Sequence, residues 1–304
     1  MPENKIIEIN SFIDSFNIKI PSVDEFQKLN NFFPIYKDDS DSILNFERGM
    51  LLYAMVGKIR PKTILEIGTA SGYSTICMAK ALTEFKIQGT IMTIDPEPHD
   101  KKNNYILNFD KKGLKSYDIT REQLWEKCAK PEWIKKIKVI TGYSGEIFQK
   151  NKIPKIDLAF IDGHHAFNAV KHDFYATLKN SSDTFQILFD DYFSGETKDV
   201  KQLIDEEISP NLPVTFIKTN YEDQVSKNYE KIRRKYKGKI NDELFMCLID
   251  SNNLEKPISK IYPDEKINSF LKEYNKWESK WRRRKYLNSK IPFLNKIRFR
   301  TFLN

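Results

Sequence analysis

Apolar positions recur at helical spacing through residues 1–60. One amphipathic segment runs from Asp24-Glu25-Phe26 to Phe32-Phe33. A stronger one covers 43–59, with Leu44, Phe46, Met50, Leu51, Ala54, Met55 and Ile59 on one face. The period then changes. Residues 63–67 are a short, β-branched apolar run ending at Gly68, which predicts a buried strand. Helix follows over 74–82, then a second strand over 90–94, stopped by Asp95-Pro96. Residues 97–136 are polar, with 119–128 their best helical stretch. Strands are predicted at 137–140, 156–161 and 185–189, and helices at 166–178 and 198–208. The last two strands, 214–218 and 244–249, lack a full helix between them and predict an antiparallel edge hairpin. This alternation implies an α/β fold, a doubly wound and mostly parallel sheet of seven strands.

Composition narrows the classes. A chain of 304 residues with 40% hydrophobic and 13% aromatic side chains can bury a sizeable core, which excludes wholesale disorder. Cys77, Cys128 and Cys247 lie far apart, so neither a disulfide framework nor a CxxC zinc site is expected, and a reducing, cytoplasmic setting fits. The first residues show no apolar signal-peptide core. No apolar run approaches the roughly 18 residues that a membrane span needs. The net charge of +8 is local: 271–304 carry eleven Lys/Arg and two Glu, leaving 39 basic against 40 acidic side chains elsewhere. A body that coats nucleic acid is therefore not expected.

Every polar group of interest follows a predicted strand, at the carboxyl edge where open α/β sheets bind ligands. The first turn, Gly68-Thr69-Ala70-Ser71-Gly72, is spaced GxxxG rather than GxGxxG. It lacks the amide nest a pyrophosphate requires but can hold a nucleoside with an amino-acid appendage. Asp95, 27 residues after Gly68, ends the second strand, where a carboxylate can accept both ribose hydroxyls. A plain turn with a capping acid is the bland alternative. Asp162 ends the fourth strand and Asp190-Asp191 the fifth. On neighbouring strands about 4.8 Å apart, such carboxylates can share a hard cation at about 2.1 Å per ligand. His164 and His165 follow at once, and a neutral imidazole can accept a proton near pH 7.

The segments ILEIGTASGYST, MTIDP, FIDGHH and ILFDD resemble the class I S-adenosylmethionine-dependent methyltransferases. More narrowly they resemble the cation-dependent O-methyltransferases of the catechol and macrolide-sugar groups, over roughly 43–250. The resemblance implies a Rossmann-like domain at 61–250, while the periodicity before it predicts an N-terminal helical cap at 1–60 and the composition after it a basic, aromatic extension at 251–304. The resemblance places Glu66, Gly68, Ser71, Gly72 and Tyr73 at the methionine end of S-adenosylmethionine, Asp95 on the ribose and Gly142-Tyr143-Ser144 by the adenine. Glu47-Arg48-Gly49 matches the helix that closes over the cofactor. Asp162, Asp190 and Asp191 match the ligands of a Mg²⁺ or Mn²⁺ ion. His165 matches the catalytic base, with His164 as a structural or substrate contact.

The implied reaction moves a methyl group to a hydroxyl of a small molecule, with sugars among the candidates, and the group is commonly dimeric. An RNA methyltransferase using the basic tail and a non-catalytic cofactor-binding module are the alternatives; a nicotinamide dehydrogenase is disfavoured by the glycine spacing. In 271–304, Trp277, Trp281, Tyr286, Phe293, Phe299 and Phe302 interleave with Arg282-Arg283-Arg284-Lys285. That pattern suits a terminal helix packed on the body, a peripheral contact with the inner membrane surface, or RNA stacking. Lys231, Arg233, Arg234 and Lys235 suggest a basic loop over 219–243 at the substrate mouth.

Overall fold

The computed structural model describes residues 4–30, 32–33, 46–107, 115–192, 198–219 and 245–290. The ten strands are β1 (Lys5–Glu8), β2 (Thr63–Ile67), β3 (Thr90–Asp95), β4 (Lys102–Leu107), β5 (Lys115–Thr120), β6 (Ile137–Thr141), β7 (Ile156–Ile161), β8 (Ser181–Tyr192), β9 (Thr215–Lys218) and β10 (Phe245–Asp250). Eight of them form one sheet in the order β1-β9-β10-β8-β7-β2-β3-β6. β2, β3, β6, β7 and β8 run parallel, and β10 is antiparallel to both β8 and β9. The seven predicted strands and the antiparallel hairpin are therefore present. The chain leaves β2 toward β3 and β6 on one side and later returns to β7 on the other. The rim between β2 and β7 is thus the point where strand order reverses.

Helices bury the sheet on both faces. α1 (Ile9–Asp14), α2 (Val23–Asn30), α3 (Phe46–Ile59) and α4 (Tyr73–Glu84) share one core with Ile64, Ile91, Leu158 and Leu188. α3 is apolar nearly all round because it is sandwiched between other helices and the sheet, and residues Leu51 to Val56 are all buried. After α5 (Arg121–Cys128) and α6 (Pro131–Ile134) come α7 (Ser144–Lys150), α8 (Phe167–Asn180) and α9 (Lys198–Leu203). The second core joins Val170, Phe174 and Leu203 to Leu65, Ile161 and Phe189. α10 (Ile258–Ile261) leads into the long α11 (Asp264–Lys290).

Two features differ from the sequence reading. Residues 5–8 form an extra strand parallel to β9, where a wholly helical cap was expected. The run Ile6-Ile7 is too short to show a period, and Ile6 stays 68% exposed. The polar stretch after β3 contains the antiparallel hairpin β4–β5, whose partly exposed strands carry no clean alternation of apolar residues. Residues 271–290 continue a helix that begins at Asp264 and packs on α7 and α8, with Tyr274 and Glu278 buried. The basic loop expected over 219–243 falls, but for Thr219, outside the described residues, as do Phe293, Phe299 and Phe302. No helix among the described residues is long and apolar enough to cross a membrane.

Candidate functional site

The β2–α4 turn is held against two neighbouring strand ends. Gly68 N donates to Ile94 O at 2.9 Å, and Asp162 N donates to Ile67 O at 2.9 Å. Gly68 has φ +97°, and a Cβ there would lie 2.0 Å from Asp162 O. Its lack of a side chain therefore serves the close approach of the turn to the end of β7. Gly72, at φ +102°, faces Trp125 instead: a Cβ would come within 2.3 Å of the indole Nε1, which donates to Ser71 O at 2.8 Å. These two glycines make room for protein atoms, where the sequence suggested room for a ligand. Gly72→Ala combines a left-handed φ with this clash. It should cost at least about 1–3 kcal/mol, read as a lower urea midpoint at unchanged m; an unchanged midpoint would contradict the packing described.

Glu66 lies fully buried beneath the turn and accepts from Thr93 at 2.6 Å and Thr75 at 2.5 Å. Burial pushes its pKa up to about 8, against the pull of both threonines. Its Oε1 has no hydrogen-bond partner among the described residues. Tyr73 turns away from the rim, with its ring buried and its hydroxyl donating to Phe46 O at 2.9 Å.

Asp95 is more heavily engaged than its sequence position suggests. Its Oδ2 accepts from Thr69 N (3.1 Å) and Ala70 N (2.9 Å), and its Oδ1 from Glu97 N (2.7 Å) and Arg121 (3.2 Å). Arg121 is only 2% exposed, and its Nε and Nη1 lack partners among the described residues. A buried guanidinium with spare donors calls for a polar ligand. Together with the orphaned Glu66 Oε1, it leaves both an acceptor and donors at the rim that a polar ligand would satisfy. Gly142 N donates to Asp95 O at 2.9 Å, which brings the third-strand loop alongside. Tyr143 meets Trp281 of α11 edge-on at 5.4 Å, while the Ser144 hydroxyl turns toward α8 and donates to Asp173 at 2.5 Å.

Beyond β7 and β8 the acids and bases alternate. Arg48, from α3, places Nη1 2.6 Å from both Asp162 Oδ2 and Asp190 Oδ2. His165 Nε2 lies 3.0 Å from Asp191 Oδ2 and 3.7 Å from Asp162 Oδ1. The angle to Asp191 is poor for a hydrogen bond, so the contact is chiefly one of charge. The Asp162 carboxylate first, and Asp191 with it, push the imidazole pKa up to about 10. Burial pushes Asp190 up, against the opposing charge of Arg48. Asp191 adopts φ +59°, a left-handed conformation that aspartate tolerates better than most residues. His164 is exposed.

Three expected metal ligands thus do not share one gap. Arg48 fills the space between Asp162 and Asp190, as a cation supplied by the chain. The set with ligand atoms within 4.8 Å of one another is Asp162, His165 and Asp191. Asp162 and Asp191 remain able to hold a divalent ion, but only in competition with the proton on His165.

Sequence reasoning missed Arg121 and Trp125, and it gave Arg48 no role in the acidic cluster. A cation inside the otherwise apolar run of α3 was the signal for Arg48; nothing marked Arg121, which begins a polar helix in an unpatterned stretch.

Residues 65–192 match the family model described as "Methyltransferase domain". Among solved structures, the chain is similar to the O-methyltransferase TomG from Streptomyces achromogenes, involved in tomaymycin synthesis and solved with SAM. The identity is 16%, with 79% of this chain and 96% of that chain covered and a TM-score of 0.49. It is also similar to the O-methyltransferase from Bacillus cereus in complex with SAH, at 17% identity, 80% and 99% coverage and a TM-score of 0.48. Among curated proteins, none matches this chain. The matched stretch runs from β2 to the end of β8 and so includes Glu66, Asp95, Asp162, His165, Asp190 and Asp191 of the rim.

Proposed function

We propose that this protein is an O-methyltransferase acting on a hydroxyl of a small molecule, sugars included, with His165 as the base. The observation that carries the reading is His165 between Asp162 and Asp191 on the strand end that the glycine turn touches. When bound, S-adenosylmethionine supplies an activated methyl group on a sulfonium. Glu66, the 68–72 turn, Asp95 and the 142–144 loop are the residues that would hold it.

The chain's own groups then have distinct tasks. His165 takes the acceptor proton on Nδ1, the ring nitrogen that does not face the acids, and the two carboxylates beside Nε2 stabilise the imidazolium that results. Arg48 fixes Asp162 and Asp190, so that the acceptor oxygen meets a rigid wall. A Mg²⁺ or Mn²⁺ ion on Asp162 and Asp191 would polarise the acceptor hydroxyl.

The charges on His165 set a pH dependence. With its pKa pushed up to about 10, the imidazole is mostly protonated at neutral pH and acts as a base through its small neutral fraction, which grows as pH rises. In excess EDTA, kcat should rise about tenfold per pH unit from pH 7 and level off near the His165 pKa. Added Mn²⁺ competes for the same carboxylates and should move the rise toward neutral pH. A profile flat from pH 6.5 to 10 under both conditions would remove His165 as the base. Full activity in EDTA with no shift on adding Mn²⁺ would remove the metal. The acceptor class is tested by incubating methyl-labelled S-adenosylmethionine with phenols, catechols and sugars. Label found only on nitrogen, or only on RNA, would overturn the assignment to hydroxyl groups.

A further inference from the structure

Residues of α7, α8 and α11 also line a groove. α8 and α11 diverge there to leave a groove of about 770 Å³, whose upper wall is Phe148 and Gln149 of α7. Lys272, Lys276 and Lys280 recur every four residues along α11 and line it, and Lys179 of α8 faces them. No aspartate or glutamate lines the groove. Like charges at this spacing repel by about 0.2–0.5 kcal/mol per pair, so the stripe is unfavourable unless something anionic lies along it. Glu278, two residues from both Lys276 and Lys280, turns to the other side of α11 and packs on Gly145.

The floor adds an independent observation. His172 is fully buried, stacked on Tyr274 at 4.4 Å, with Nδ1 3.0 Å from Asp173 Oδ1. Its Nε2 has no partner among the described residues, and neither has Oδ1 of Asn275 across the groove. With Nδ1 donating to the carboxylate, Nε2 of the neutral ring is an acceptor, open to a hydroxyl or amide of a ligand rather than to its phosphate oxygens. Four lysines therefore face a groove whose floor holds two polar atoms without partners among the described residues.

We propose that the groove between α8 and α11 binds a phosphate-bearing ligand, held by Lys179, Lys272, Lys276 and Lys280. The ligand is recognised by its phosphate. A soluble phosphomonoester or diphosphate and a lipid phosphate headgroup share this chemistry.

Inorganic pyrophosphate, titrated calorimetrically into the full chain at low salt, is the first probe. Saturable one-to-one binding is expected, weakened at least tenfold in the triple variant Lys272→Gln, Lys276→Gln, Lys280→Gln. Those side chains are exposed, so the variant should fold, checked by its melting temperature. The control Arg283→Gln, Arg284→Gln removes charge from the same helix outside the groove and should leave binding within twofold. No saturable binding, or equal weakening by both variants, would overturn the proposal. Glycerol 3-phosphate and vesicles containing phosphatidic acid separate the sources: binding of either that the triple variant abolishes supports the site. Retention of single-stranded RNA, with pyrophosphate silent, would contradict it. Binding of S-adenosylhomocysteine should be the same in all three proteins, so this test does not depend on the methyltransferase reading.

Discussion

Replacing His165 with alanine is expected to lower kcat by roughly 10²–10⁴-fold, the usual contribution of a positioned acid–base group. Affinity for S-adenosylhomocysteine should stay within about twofold, because the imidazole lies among carboxylates beyond β7 and β8 rather than at the glycine turn. His165→Gln should be as slow as the alanine variant, since it keeps a polar contact but cannot take a proton. Single-turnover rates at saturating cofactor separate the chemical step from binding. Wild-type turnover in either variant would sink the base assignment.

Arg48→Leu is expected to give the largest loss of stability. It leaves Asp162 and Asp190, 19% and 11% exposed at their side chains, without their shared guanidinium. Removing one partner of such a buried arrangement costs about 3–5 kcal/mol. The size should depend on pH. Burial already raises the Asp190 pKa in the folded protein, and loss of Arg48 raises it further. A carboxyl whose pKa is raised by folding destabilises the fold as pH climbs through and above its unfolded value. The Arg48→Leu penalty should therefore be small near pH 4 and grow toward pH 8. Adding Asp190→Asn should recover much of it, as one buried charge is removed. A urea midpoint for Arg48→Leu equal to wild type at pH 8 would show that the bridge contributes nothing.

The sheet was legible because buried parallel strands leave short β-branched runs between amphipathic helices, as 63–67 and 156–161 do. The acids at the rim were legible for the same reason: each directly follows such a run. What sequence could not show was how the acids divide their partners. Asp95 meets Arg121 only in three dimensions, since 26 positions and a hairpin separate the pair. Asp162 and Asp190 meet a cation from residue 48, more than a hundred positions away. The glycines carried a signal of tight backbone, but their contacts are with Trp125 and the Asp162 carbonyl, and no spacing rule distinguishes a ligand from a neighbouring strand. Residues 5–8 and the β4–β5 hairpin escaped because neither has a buried face regular enough to impose a period.

The most direct test of the account is a calorimetric titration of the full chain with S-adenosylhomocysteine, set beside one with NAD. The account predicts saturable one-site binding of the former and no heat from the latter beyond dilution. A silent titration with S-adenosylhomocysteine, or saturable binding of NAD at the same protein concentration, would contradict it.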